Sequence, residues 1–154
     1  MKKSTKFIIA LLVTVGALAI TYRVVNQAPS KDLAADAQMQ EIITSGGCLQ
    51  CHSGSPDLPF YANWPVASGM VQKDVTQGYR AFDMTEMAEA LKAGKPVGKV
   101  ALAKVEKVIM DGTMPKHAYY MVHWGSSVTD AKKEMAMAWV KQHRLAHYAN
   151  GLAG

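Results

Sequence analysis

The sequence predicts an all-α domain behind one apolar N-terminal helix. Three observations carry this. Apolar residues between Leu33 and Trp139 recur at three- and four-residue steps, strand-like alternation is absent, and glycines or prolines stand where the implied helices would stop. A chain of 154 residues has room for one small domain plus an appendage, since domains usually hold roughly 100–200 residues.

The appendage comes first. Lys2, Lys3 and Lys6 precede an apolar run from Phe7 to Ile20 broken only by Thr14 and Gly16, the pattern of a positively charged start and apolar core that directs export. Ala17-Leu18-Ala19 has the small-x-small form of a cleavage site but lies inside the apolar run. Val24 and Val25, beyond Arg23, extend that run towards the ~17–25 residues of a spanning helix. Residues 1–25 are therefore read as a signal peptide or, preferably, a retained membrane anchor with its positive end inside. Residues 26–30, with Pro29, form a linker.

The formal net charge of +5 belongs to the appendage. Lys2, Lys3, Lys6 and Arg23 are four of the 17 basic residues, leaving 13 basic against all 12 acidic ones. So nearly neutral a remainder, without a base-reading module, excludes a nucleic-acid partner.

In the domain, read as residues 31–144, Lys31 to Thr44 predicts a helix: Leu33, Ala37, Met39 and Ile42 or Ile43 fall near helical spacing, and Gly46-Gly47 ends it. Ser53 to Val66 reads as a loop punctuated by Gly54, Pro56, Pro59 and Pro65. Val71 to Arg80 lacks clear periodicity and reads as loop or a short helix. Thr85 to Ala93 predicts a helix capped by Asp83 or Thr85 and stopped by Gly94. Lys99 to Met110 predicts another, burying Leu102, Val105, Val108 and Ile109 and closed by Gly112. A last helix from Asp130 to Arg144 should turn Ala131, Met135, Ala138 and Trp139 inward, and residues 145–154 form a tail with little core.

Between the first two elements lies Cys48-Leu49-Gln50-Cys51-His52. Two thiols three residues apart, with an imidazole directly after the second, are spaced for covalent c-type haem attachment. Each thiol can add across one vinyl group, and His52 then falls under the iron. The alternatives are a zinc site, a redox dithiol or a local disulfide. Zinc needs about four ligands, and the chain has only these two cysteines. A redox dithiol is expected beside a βαβ pattern, which is absent. One covalent haem would also supply an apolar plate to a core that no long-range disulfide can staple.

The second axial position has several candidates. Met114 is preferred: its thioether favours ferrous iron, and Gly112 and Pro115 frame it on a loop. Met87, Met110, Met135 and Met137 lie on predicted helices and read as core. His123, and less so His117, are the rival ligands. His143 and His147 read as surface or hydrogen-bonded imidazoles. His52 should give its other ring proton to an acceptor, expected in the carbonyls of the Ser55 to Pro65 loop. Phe60, Tyr61 and Trp64 in that loop are candidates to cover the haem edge, and Tyr61 or Trp64 to reach a propionate. No pair or triad of side chains reads as catalytic.

Three blocks carry a family resemblance: Cys48 to Ser53; Phe60 to Pro65 with Asp74 to Phe82 beyond it; and Gly112-Thr113-Met114-Pro115 with Tyr119, His123 and Trp139 downstream. On these the chain resembles the haem-binding domain family of small exported monohaem c-type cytochromes and, more distantly, class I cytochromes c. The resemblance implies a cytochrome c-like helical domain around one haem c, carried by Cys48 and Cys51 and ligated by His52 and Met114. It departs at Lys116, where the family often has a second proline. The function expected is electron transfer in the periplasm, with other redox proteins as transient partners. The alternative is a gas-sensing or peroxidatic module with a weak or open sixth position.

Overall fold

A computed structural model describes residues 3–152; Met1, Lys2 and the last two residues of the expected tail lie outside the described residues. Every regular element among them is helical. Helix α1 (Lys3–Val25) is unbroken for 23 residues and buries none of them. At about 1.5 Å per residue it measures roughly 35 Å, enough to cross a hydrocarbon core of about 30 Å.

Asn26 joins α1 to the domain and is buried. Its side-chain amide donates to Tyr22 O at 2.9 Å and Trp124 O at 2.5 Å, while Ser127 N donates to its oxygen at 2.9 Å. Tyr22 adds a 2.7 Å hydroxyl contact with Ser127 and an edge-on contact with Trp124. The expected linker therefore begins with an anchored residue.

The core is built by α2 (Ala35–Ser45), α4 (Thr85–Lys92), α5 (Lys99–Asp111) and α7 (Asp130–Leu152), with α7 packed on both α2 and α5. Met39, Ile42 and Ile43 meet Met84, Met87, Leu91, Val97, Leu102, Val105, Trp139 and Val140. Helix α2 starts four residues later than the pattern predicts, because Lys31 to Ala34 forms turn and leaves Leu33 exposed. Helices α4 and α5 fall where expected. Gly94 and Gly112 take the left-handed φ of +60° beyond their ends, which glycine adopts without steric cost.

Four expectations are corrected. Ser68–Ala81, read as loop or short helix at its centre, is a 14-residue helix, α3. Its only buried residue is Gly78, although Val71, Val75 and Gly78 do recur at helical spacing and mark one face. Helix α7 runs on through the expected tail, and its inward face is Lys132, Ala136, Trp139 and Val140, while Ala131 and Ala138 are exposed. Lys132 is tolerated inside because its ammonium donates to Ser127 O at 3.1 Å and Ser45 Oγ at 3.4 Å. Burial pushes its pKa below the usual lysine value. Met110, read as core, is exposed.

One acceptor clamps α2 to α7. Asp36 Oδ1 receives Trp139 Nε1 and His143 Nε2, both at 2.7 Å, and His147 Nε2 lies 2.7 Å from Val97 O. Asp36→Ala strands the buried indole N–H, which costs about 1–3 kcal/mol. A denaturant titration should show that loss at unchanged m-value.

Candidate functional site

The attachment motif begins where Gly46 and Gly47 end α2. Gly47 has φ +64°, and Cys48–Gln50 then makes one 3-10 turn. This turn brings Cys48, Cys51 and His52 onto the wall of a cavity of about 230 Å3 that Gly78, Tyr119 and Met114 also line. A neighbouring cavity of about 370 Å3 shares Cys48, His52, Ala81, Met114 and Pro115 with the first. Together they have the size of a cofactor site, ~300–1,000 Å3. The donors expected from the sequence are thus gathered around one space: both thiols, the imidazole and the thioether.

Small residues keep that space open. A Cβ on Gly46 would stand 2.9 Å from Ile42 O and 3.2 Å from Cys48 Sγ, and one on Gly78 would stand 2.5 Å from Cys51 O. Glycine at 78 lets α3 lie directly on the attachment loop.

His52 is oriented from outside the loop that the sequence pointed to. Its Nδ1 lies 2.8 Å from Phe82 O. A carbonyl only accepts, so Nδ1 carries the proton and the neutral ring keeps the lone pair of Nε2 available to a metal. The partner is therefore Phe82 and not a carbonyl of the Ser55 to Pro65 loop. Met84 N donates to His52 O at 2.7 Å, fixing the backbone as well. Lys104, which sequence reasoning missed, donates to Ala81 O at 2.6 Å and lies 5.1 Å from the centre of the Phe82 ring. A cation at a helix C-terminus is favourable there, and it secures the stretch of chain that holds His52.

The thiols are unpaired. Burial, the largest cause, pushes Cys48 up to about 11, and burial followed by the Asp74 charge raises Cys51. A reactive dithiol needs the opposite shift. Among the described residues no three or more His, Cys, Asp and Glu side chains come together as a metal site.

Met114 sits on an exposed strap, is itself 37% exposed, and follows Gly112. The strap is tied to α3 by Lys116 Nζ, 2.6 Å from Asp74 Oδ1. The rival histidines lie elsewhere. His117, at the start of α6 (His117–Val122), is exposed and packs edge-on against Tyr120. His123 has both nitrogens engaged: Nδ1 donates to Tyr119 O at 3.1 Å and Nε2 accepts from Tyr61 Oη at 2.7 Å. Neither lines the two cavities.

Tyr61 and Trp64 also lie outside that lining. Trp64 is 57% exposed and packs edge-on against Phe60, which is 82% exposed. The aromatic side chains on the cavity walls are instead Phe82 and, in the smaller cavity, Tyr119. Tyr119 stacks on His123 with ring centres 3.9 Å apart and donates to Gln50 Oε1 at 2.7 Å. Its phenol is pushed up to about 12, chiefly by burial and then by the neighbouring thiols and Tyr61.

Two adjoining, mostly apolar cavities lined by a proton-fixed imidazole, two thiols and a thioether fit a haem, and the all-helical fold agrees. The chain belongs to the haem-binding domain family, which matches residues 7–142. It is similar to the cytochrome c peroxidase Ccp of Escherichia coli strain K12, with 36% identity over 104 residues. That match covers 68% of this chain and 22% of the relative. No solved structure matches.

Gly78→Ala forces α3 off Cys51, and the overpacking should cost about 1–3 kcal/mol and lower the fraction of chain carrying haem on a denaturing gel. Gly69→Ala, on the same helix with nothing within 4 Å, should change neither. At high pH the unfolded chain releases the Tyr119 proton near the usual 10 while the folded chain keeps it to about 12. The stability that Tyr119 contributes is complete below pH 10 and is lost as pH rises through about 12. Tyr119→Phe should flatten that alkaline limb in thermal melts.

Proposed function

We propose that the chain is an exported, membrane-tethered monohaem c-type cytochrome that passes single electrons between redox proteins. The observation that supports it most is the convergence of Cys48, Cys51, His52 and Met114 on adjoining cavities, with His52 Nδ1 already committed to Phe82 O. When bound, haem c supplies a one-electron centre. Cys48 and Cys51 hold it through thioethers, each formed by adding S–H across a vinyl group. His52 Nε2 and the Met114 sulfur would hold its iron, and the soft thioether would raise the potential. A histidine and a thioether that stayed in place would keep reorganisation small.

Export and tethering rest on α1, apolar, unburied and long enough to span. The anchored Asn26 favours retention over cleavage, because the last turn of α1 is part of the domain's packing. With Lys3 and Lys6 on the inner side, the haem domain stands in the periplasm. The near-neutral domain charge suits transient partners met without strong electrostatic steering.

A second reading has Met114 leave the iron open for peroxide or a gas. It is favoured by the exposure of the Met114 strap and by the name of the relative, a cytochrome c peroxidase. A module spanning 22% of such an enzyme would serve there as an electron-entry unit or as the reactive centre.

Absorption spectra separate the readings. The carrier should show a sulfur-to-iron charge-transfer band in its oxidised form, lost in Met114→Ala and kept in His123→Ala. A high-spin native spectrum with fast carbon monoxide binding would sink the carrier reading.

A further inference from the structure

We propose that the haem domain rests on the bilayer spanned by α1, through an aromatic patch centred on Phe60, Trp64 and Trp124. The inference rests on the anchoring reading above.

The two segments that form the patch are free of formal charge. No Asp, Glu, Lys or Arg occurs from Leu58 to Gln72 or from His117 to Thr129, although 19% of the chain is charged. Both segments nevertheless face solvent. Phe60 is 82%, Trp64 57%, Val66 91% and Val122 66% exposed, and Trp124 is also exposed. Exposed aromatic and aliphatic side chains in uncharged stretches are costly in water. Trp and Tyr are favoured at the headgroup level of a membrane.

Contacts tie the patch to the point where α1 enters the domain. Tyr22, in the last turn of α1, meets Trp124 edge-on at 6.5 Å between centroids. His123, next in the chain, is bonded to Tyr61, and Phe60 lies 5.5 Å from both Tyr61 and Trp64 between ring centres. An unbroken aromatic series therefore runs from the end of the membrane helix to the exposed loop. Asn26 holds that junction through three hydrogen bonds, so the patch is not free to swing away from the bilayer. This explains why Phe60 and Trp64 are aromatic although they lie outside the haem cavity.

The test uses the full haem-loaded chain in phosphatidylcholine vesicles, with one nitroxide label at Val66→Cys or at Gly98→Cys. Gly98 adjoins Val97, which contacts His147, ~25 Å along α7 from Asp130 at the membrane end. Power saturation should give the Val66 label a several-fold higher ratio of oxygen to nickel-chelate accessibility than the Gly98 label. Adding Phe60→Ser and Trp64→Ser should abolish the difference while the protein still resists carbonate extraction. Equal, water-like ratios with the chain retained in the membrane would overturn the docking and leave the anchor standing. Docking is overturned equally if protection survives the double substitution, or if it appears only at high protein-to-lipid ratio, which marks a second copy. Release by carbonate would remove the anchoring reading and the docking with it.

Discussion

The geometry of the site depends on one histidine held at two points. The ring of His52 gives its Nδ1 proton to Phe82 O, and its own carbonyl accepts Met84 N. The attachment loop is thereby stapled to the residues that open α4. Met84, Met87 and Leu91 belong to the main core, so the ring direction is inherited from core packing and not left to a flexible loop. Lys104 grips Ala81 O from α5, which extends the same dependence to a third helix. A ligand fixed in this way keeps its tautomer and its orientation, and both determine how strongly an imidazole binds iron.

The same site explains which parts of the fold were legible in the sequence. Helices α4 and α5 pack side chain against side chain, and their apolar residues recur at helical spacing. Helix α3 faces a cavity with Asp74, Gln77, Gly78 and Ala81, and its short apolar stripe of Val71 and Val75 is interrupted by glycine and polar residues, so it is harder to read than those of α4 and α5. Cys48, Cys51 and His52 were readable because two thiols and an imidazole at this spacing form a short, recognisable motif. The partner of His52 was not, because a backbone carbonyl leaves no mark on residue type. The face of α7 was misjudged for a different reason. Lys132 is buried where the pattern asks for an apolar residue, and only tertiary contacts from Ser45 and Ser127 make that position tolerable.

Those two serines connect the site to the base of the apolar helix α1. Ser45 is the last residue of α2, just before the glycines that lead to Cys48, while Ser127 is bonded to Tyr22 and Asn26. Lys132 bridges them. The attachment loop and the base of α1 thus share one buried cation, and the position of the haem cavity relative to the anchor is set by short-range contacts. The junction therefore restricts how the domain can turn relative to α1.

Met114 is held quite differently from His52. Its strap is exposed, leaves α5 through a left-handed glycine, and is tied down by the Lys116–Asp74 pair, each member of which is more than two-fifths exposed. An exposed ion pair contributes about 0–1 kcal/mol, and ~1.4 kcal/mol moves an equilibrium tenfold. The protein's own contacts therefore do little to keep the thioether in place. The two proposed readings, carrier and ligand-binding module, therefore share the Cys48–His52 loop and the Phe82 clamp on His52, and differ in what holds the few residues from Gly112 to Lys116.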